Sequence, residues 1–137
     1  MSVVYAQEQQ LSVEDYCAVL ATTYMGDRRP LGNPERVAAM LAGSNMIVTA
    51  RDDETGAILG VARAFTDGAW VCYLADLVVR ADQQRHGIGT GMLNRMKEIL
   101  GPGIGIVLMA YPQAVDYYRK AGLGEMTAFF IDREDRS

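Results

Sequence analysis

Histidine and cysteine are nearly missing from this chain: His86 is the only histidine, and Cys17 and Cys72 the only cysteines, among 137 residues. The two cysteines lie far apart and form no CxxC pair, so the sequence offers neither a disulfide framework nor a zinc site, and no metal is expected. Both are expected to be buried small hydrophobes. Positive charge is also short, with 13 lysines and arginines against 17 acids and a net charge of −4. That balance gives no global reason to bind nucleic acid or an anionic membrane. The apolar stretch Ile104 to Tyr111 falls far short of the ~20 residues that cross a bilayer, so no membrane partner is expected. The opening MSVVYAQEQQ lacks the basic region and apolar core of an export signal, and the expected compartment is the cytoplasm. Repeats, low-complexity tracts and linkers are absent too. What remains is 50% apolar and 22% charged, the balance of one globular domain over residues 1–137.

Hydrophobic periodicity and stop signals order the elements. Ser12 with Asp15 three residues later reads as a cap for a helix whose apolar face runs from Val13 through about Tyr24. Asn33 followed by Pro34 opens a second, short helix that stops at Gly43. Met46 to Ala50, Ala57 to Phe65 and Ala69 to Val79 read as three antiparallel strands, the last two joined by the two-residue signal Asp67-Gly68. Ile88, Met92, Leu93, Met96, Ile99 and Leu100 follow helical spacing up to Gly101. Ile104 to Ala110 is nearly all apolar and is expected to be a central strand buried on both faces. A fourth helix, Pro112 to Ala121, and a last strand, Met126 to Ile131, complete the order α-α-β-β-β-α-β-α-β. A strand, helix and strand over residues 69 to 110 imply a right-handed parallel crossover joined to an antiparallel meander: a mixed α/β fold with helices on the faces of one sheet.

The segment Gln84-Arg85-His86-Gly87-Ile88-Gly89-Thr90-Gly91 leads from a strand into the third helix. Glycines here allow backbone N–H groups to face one concave space, and the first turn of a helix leaves donors unpaired. Such a loop suits a phosphate or pyrophosphate, with Arg80 and Arg85 adding positive charge and His86 a donor. There is no GxxxxGK[ST], and GIGTGM lacks the third spacing of GxGxxG, so the common nucleotide loops are excluded. A loop that serves only tight helix–strand packing stays open on these residues alone.

A second element lies some thirty residues on. The pattern Gln84-x-x-Gly87-x-Gly89 after Leu77-Val78-Val79, followed by Tyr117-Tyr118-x-x-x-Gly122-Leu123, resembles the GNAT superfamily of N-acetyltransferases over about residues 45 to 131. The resemblance implies a six- to seven-stranded, mostly antiparallel mixed sheet flanked by four helices in the order β-α-α-β-β-β-α-β-α-β, with Val3 to Tyr5 as the first strand. It implies acetyl-CoA as cosubstrate, with the amides of Arg85, His86, Gly87, Ile88, Gly89 and Thr90 toward the pyrophosphate. The open edge of Leu77, Val78 and Val79 would pair with the pantetheine arm, which carries two amides. The strand at Ile104 to Ala110 would splay away to make room. Arg80-Ala81-Asp82 stands where the family usually has a proline-acidic loop.

The resemblance further implies direct attack of a neutral amine on the thioester, a backbone N–H near Val79 for the developing oxyanion, and Tyr118 as proton donor to the leaving sulfur. Tyr117 beside it is expected in the core. An alkylamine with a pKa near 10.4 is neutral only about once in 2,500 at pH 7, a cost of ~4.6 kcal/mol, so its proton needs a route. Ala75 stands where polyamine acetyltransferases carry a glutamate, and Tyr73 where histone-type members do. Asp76 is the nearest acid and the second catalytic candidate, although period-two alternation turns it away from Leu77 and Val79 unless a bulge intervenes. The acceptor pocket falls to residues 24–36 and the strands around Phe65 to Tyr73. There Arg28 and Arg29 suit an acidic acceptor, and Asp27, Asp67 and Asp76 a cationic one. Trp70 and Tyr73 would form an aromatic wall or pack in the core. The acceptor class is a small-molecule or protein amine, and a homodimer is the assembly suggested by many members. The alternative is a CoA-binding module without turnover.

Overall fold

The computed structural model describes all 137 residues. Its single sheet has five strands in the order β1-β2-β3-β4-β5: β1 (Val3–Gln7), β2 (Met46–Asp52), β3 (Ile58–Thr66), β4 (Val71–Val79) and β5 (Gly105–Val107). Neighbours are antiparallel except β4 and β5, which run parallel across the crossover through α3 (Ile88–Leu100). The expected first strand is present, two residues longer than its sequence signal. Helices α1 (Val13–Leu20) and α2 (Pro34–Gly43) cover one face, α3 covers the other, and α4 (Val115–Lys120) follows β5. No helix is long and apolar enough to cross a membrane.

Local chemistry accounts for the helix starts. The Ser12 hydroxyl accepts the Asp15 N–H at 3.0 Å, and the Asn33 side chain accepts the Arg36 N–H at 3.2 Å with Pro34 next in line. α1 ends at Leu20, earlier than its apolar pattern, and the chain tightens into a 3₁₀ turn at Tyr24–Arg28. Asp67 also departs from a plain two-residue turn. Its Oδ1 accepts the N–H groups of Ala69, Trp70 and Val71, so β4 starts at Val71, and Trp70 stands 78% exposed outside any core.

Alternation along the strands sorts side chains into two cores. Met46, Val48, Leu59 and Ala62 meet Ile88, Met92, Leu93 and Met96 of α3, while Ile47, Val61 and Val78 meet Tyr16, Val19, Leu20, Val37 and Leu41 of α1 and α2. Cys72 is fully buried and Cys17 half-buried, both as free thiols.

Two expectations fail at the C-terminal end. The strand count is five rather than six to seven, because residues 126–131 form no strand. The run Met126 to Ile131 ends in four adjacent apolar residues, Ala128 to Ile131, rather than alternating, so no register gives it one buried face. Phe129 and Ile131 are 94% and 97% exposed. β5 is in consequence an edge strand of three residues, not a central one, and Val107 lies open.

Candidate active site

The cleft begins where β4 and β5 part. Their parallel pairing covers only Val71–Tyr73 against Gly105–Val107, after which the strands diverge. On its other edge β4 carries a bulge. Pairing passes from Arg63 with Asp76 to Ala64 with Leu74, leaving Ala75 unmatched. The extra residue shifts the alternation, so Cys72, Leu74, Leu77 and Val79 pack on the α3 side while Val78 packs with Tyr16 on the α1 side.

Three cavities line up along this split. The first, of about 320 Å³, lies between Leu77, Val79, the start of α3 and Tyr118. The second is a throat of about 30 Å³ lined only by apolar and tyrosine side chains, among them Leu74, Leu77, Leu108 and Tyr118. The third, of about 330 Å³, opens beyond Ala75, Met109 and Tyr111, which it shares with the throat. A wider surface hollow of about 770 Å³ beside Pro30–Glu35 has no hydrophobic lining and adjoins the third cavity, sharing Pro30 and Arg136 with it.

At the first cavity the backbone supplies the chemistry. Gly87, with φ +77°, turns the chain into α3 in the left-handed region where a side chain is disfavoured, and Arg85 just before it is also left-handed at φ +69°. No side chain caps the helix, and the first helical bond is Gly91 N–H to Gly87 C=O at 2.9 Å. The N–H groups of Ile88, Gly89 and Thr90 therefore have no partner within the chain. Free donors, the positive end of a three-turn helix and the Arg85 guanidinium make a cradle that fits a pyrophosphate. Gln84 buttresses it, donating from Nε2 to the Val79 carbonyl at 3.2 Å. Leu77, Val78, Val79, Gln84, Arg85, Gly87, Ile88, Gly89 and Thr90 all line this cavity. His86 is exposed and outside its lining, and Arg80 is paired with Asp82 at 2.9 Å.

Tyr117 is the surprise at this end. It is 38% exposed rather than in the core, and its hydroxyl meets Thr90 Oγ1 at 2.9 Å across the mouth of the cradle. A Cβ at position 89 would stand 3.1 Å from that hydroxyl, so a side chain there would press on both Tyr117 and any bound anion. The signal for this role, a tyrosine one residue before Tyr118 on a short helix, is too common to be read from sequence.

Tyr118 stands in the walls of both the first cavity and the throat. Burial, with the neighbouring Tyr24 and Tyr117, pushes its phenol up to about 12, so it keeps its proton at neutral pH. Its ring is edge-on to Tyr117 with centroids 5.2 Å apart.

Asp76 lies elsewhere. Its carboxylate is 1% exposed and both oxygens are engaged: Oδ1 accepts from Arg29 Nε at 2.8 Å, and Oδ2 accepts from Tyr16 Oη and Arg63 Nε, each at 2.6 Å. It lines none of the three cavities. The alternation argument therefore gives its direction correctly: the bulge precedes Asp76 and leaves it opposed to Leu77. Burial and the Asp76 charge drive the Tyr16 phenol well above its usual range. For Arg29, burial acts downward as the largest single influence, but Asp76, Tyr111 and Tyr16 together outweigh it and hold the guanidinium above its ordinary value. Arg29 Nη2 also donates to the bulge carbonyl of Ala75 at 2.9 Å. Arg63 was legible as a lone charge inside the apolar run VARAF; Tyr16 looked like any other core residue.

The acceptor-side expectations divide. Arg28, Arg29, Asp27 and Tyr73 line the third cavity, whereas Asp67 is spent on its own turn. Tyr73 stacks on Phe65, with centroids 6.5 Å apart and planes 15° apart.

Comparison with known proteins gives a consistent picture. The model of the acetyltransferase (GNAT) family matches residues 13–123. No curated protein sequence matches. Among solved structures, a Deinococcus radiodurans R1 protein provisionally described as an acetyltransferase superposes with a TM-score of 0.74 at 23% identity, over 96% of this chain and 88% of that one. A GNAT-family acetyltransferase from Streptococcus pneumoniae TIGR4 gives 0.71 at 20% identity, over 97% and 100%. An aminoglycoside acetyltransferase from an uncultured soil metagenomic sample gives 0.70 at 22% identity, over 98% and 100%.

Proposed function

Because this chain belongs to the acetyltransferase (GNAT) family, we propose that it transfers an acetyl group from acetyl-CoA to a primary amine, at the split between β4 and β5. The observation that carries this reading is the set of unpaired amides at Ile88, Gly89 and Thr90, opening into the same cavity as the Leu77–Val79 edge and Tyr118. Acetyl-CoA supplies an activated thioester. The chain's part is to hold and to give a proton. The amides of α3 and Arg85 grip the pyrophosphate, while Leu77 to Val79 offer strand-edge groups to the pantetheine amides. That grip directs the acyl end toward the throat. As the C–N bond forms and the C–S bond breaks, Tyr118, held protonated, gives its proton to the departing sulfur, and the proton lost by the amine nitrogen returns to the phenol. Asp76 serves as the anchor that orients Arg29 and Arg63 rather than as the base, since both its oxygens are bound to donors.

A silent CoA-binding module is the second reading, and one observation favours it. Neither the first cavity nor the throat is lined by an aspartate, glutamate or histidine. Release of thiol from acetyl-CoA across a panel of amines separates the two. Turnover with at least one acceptor, greatly reduced in Tyr118→Phe, is the expected result; CoA binding without release from any acceptor class would establish the module instead.

A further inference from the structure

The third cavity carries an unusual charge. Six arginines line it, Arg28, Arg29, Arg36, Arg63, Arg133 and Arg136, against one acidic residue, Asp27. The acids behind the wall do not balance them. Asp76 is shared between Arg29 and Arg63, and Asp132 between Arg133 and Arg136. Arg36 is bound to backbone carbonyls of Asp135 and Ser137. Arg28 has no carboxylate partner, and its guanidinium lies 4.7 Å from the centre of the Tyr111 ring. Tyr111 itself is shared with the throat, so Arg28 stands next to the passage.

We propose that the acceptor is an amine that also carries an anionic group, a carboxylate or phosphate, seated among Arg28, Arg29 and Arg63, with its apolar body against Phe65 and Tyr73. The inference rests on the acetyltransferase reading above and names the substrate class of that same site. Guanidinium forks match carboxylate and phosphate oxygens, and here they are held in place by Asp76 and by stacking. The same field answers the missing base. Positive charge beside a bound ammonium disfavours its charged form, and the apolar throat disfavours it further, so the amine sheds its proton to water before it reaches the thioester. A throat of about 30 Å³ admits little more than the amino group itself. A polycation meets the opposite: repulsion at the wall and no carboxylate in the throat. On this account the chain differs in acceptor from its aminoglycoside-acetylating structural neighbours.

The test uses matched pairs on the intact protein: phenylalanine against 2-phenylethylamine, phosphoethanolamine against ethanolamine, with spermidine and sisomicin as polycations. Thiol release from acetyl-CoA gives kcat/KM, and calorimetry on protein saturated with CoA gives binding without turnover. The anionic member of a pair is expected to exceed its twin without the anionic group by at least about 10-fold, the lower end for a hydrogen bond to a charged group. The pair that shows the gain distinguishes carboxylate from phosphate. Arg28→Gln should abolish the gain, and Arg28→Lys should restore part of it. Because Arg28 is exposed and unpaired, both variants should fold. Faster turnover of spermidine or sisomicin than of any anionic amine would overturn the inference while leaving the acetyltransferase reading intact. Anionic amines that bind the CoA-loaded protein without any thiol release would do the reverse. A twin lacking the anionic group that binds as well as its anionic partner overturns the inference with or without turnover.

Discussion

The two ends of the cleft recognise by different means. At the start of α3 the donors are backbone amides, fixed by Gly87 and Arg85 in the left-handed region, and they need no particular side chain. Beyond the throat the groups are long arginine side chains, held by one buried carboxylate and by aromatic rings. A backbone cradle suits a ligand part that never changes. A side-chain chamber can be retuned by single substitutions without touching the fold. Tyr118 stands where the two meet.

That division is most sharply tested at the seam. Tyr118→Phe should lower kcat by about 10²–10⁴, the usual worth of a positioned acid, while CoA affinity in calorimetry stays within about twofold. A matching loss of CoA affinity would show that the ends are not separate. At the cradle, Gly89→Asp places a negative charge and bulk against the pyrophosphate and Tyr117. A change of about 3 kcal/mol, roughly 100-fold in the dissociation constant for CoA, is expected there. At the chamber, Asp76→Ala strips the buried Arg63 and the half-buried Arg29 of their partner. Chemical denaturation should show a loss of about 3–5 kcal/mol, the cost of breaking a buried ion pair. Where the variant still folds, CoA binding should be retained. Tyr117→Phe removes only the bond to Thr90 and should weaken CoA by about 1 kcal/mol, near fivefold.

The smallest effect concerns alkali. Tyr16 and Tyr118 are both held protonated above the ordinary phenol value of 10.0, Tyr118 to about 12. Between those values the unfolded chain has released a proton that the native one keeps, so this stabilisation is complete below about pH 10 and is lost as pH rises through the folded value. Urea midpoints at pH 7, 9.5 and 11 should fall at the highest pH, and fall less in Tyr118→Phe than in the parent.

The same comparison explains what could be read in advance. The cradle is local: Gln84 to Thr90 and Tyr118 sit in short motifs whose spacing survives in one sequence, and every residue expected there except His86 and Arg80 lines the cavity. The chamber is assembled from the turn at Arg28 and Arg29, from Arg63 on β3 and from Tyr111 after β5, segments that only the sheet brings together. Alternation alone gave the direction of Asp76. It could not give its partners, because Tyr16 and Arg29 come from other elements. The expected last strand failed for a related reason. β-strand character at residues 126–131 is a local preference, whereas pairing needs a partner, and β5 is only three residues long.

Isothermal titration of the folded protein with CoA and with acetyl-CoA tests the central claim most directly, with Gly89→Asp as the control. Saturable binding of both ligands at one site, lost or strongly weakened in the variant, is the predicted result. No heat with either ligand at millimolar concentration, or equal binding by parent and variant, would contradict it.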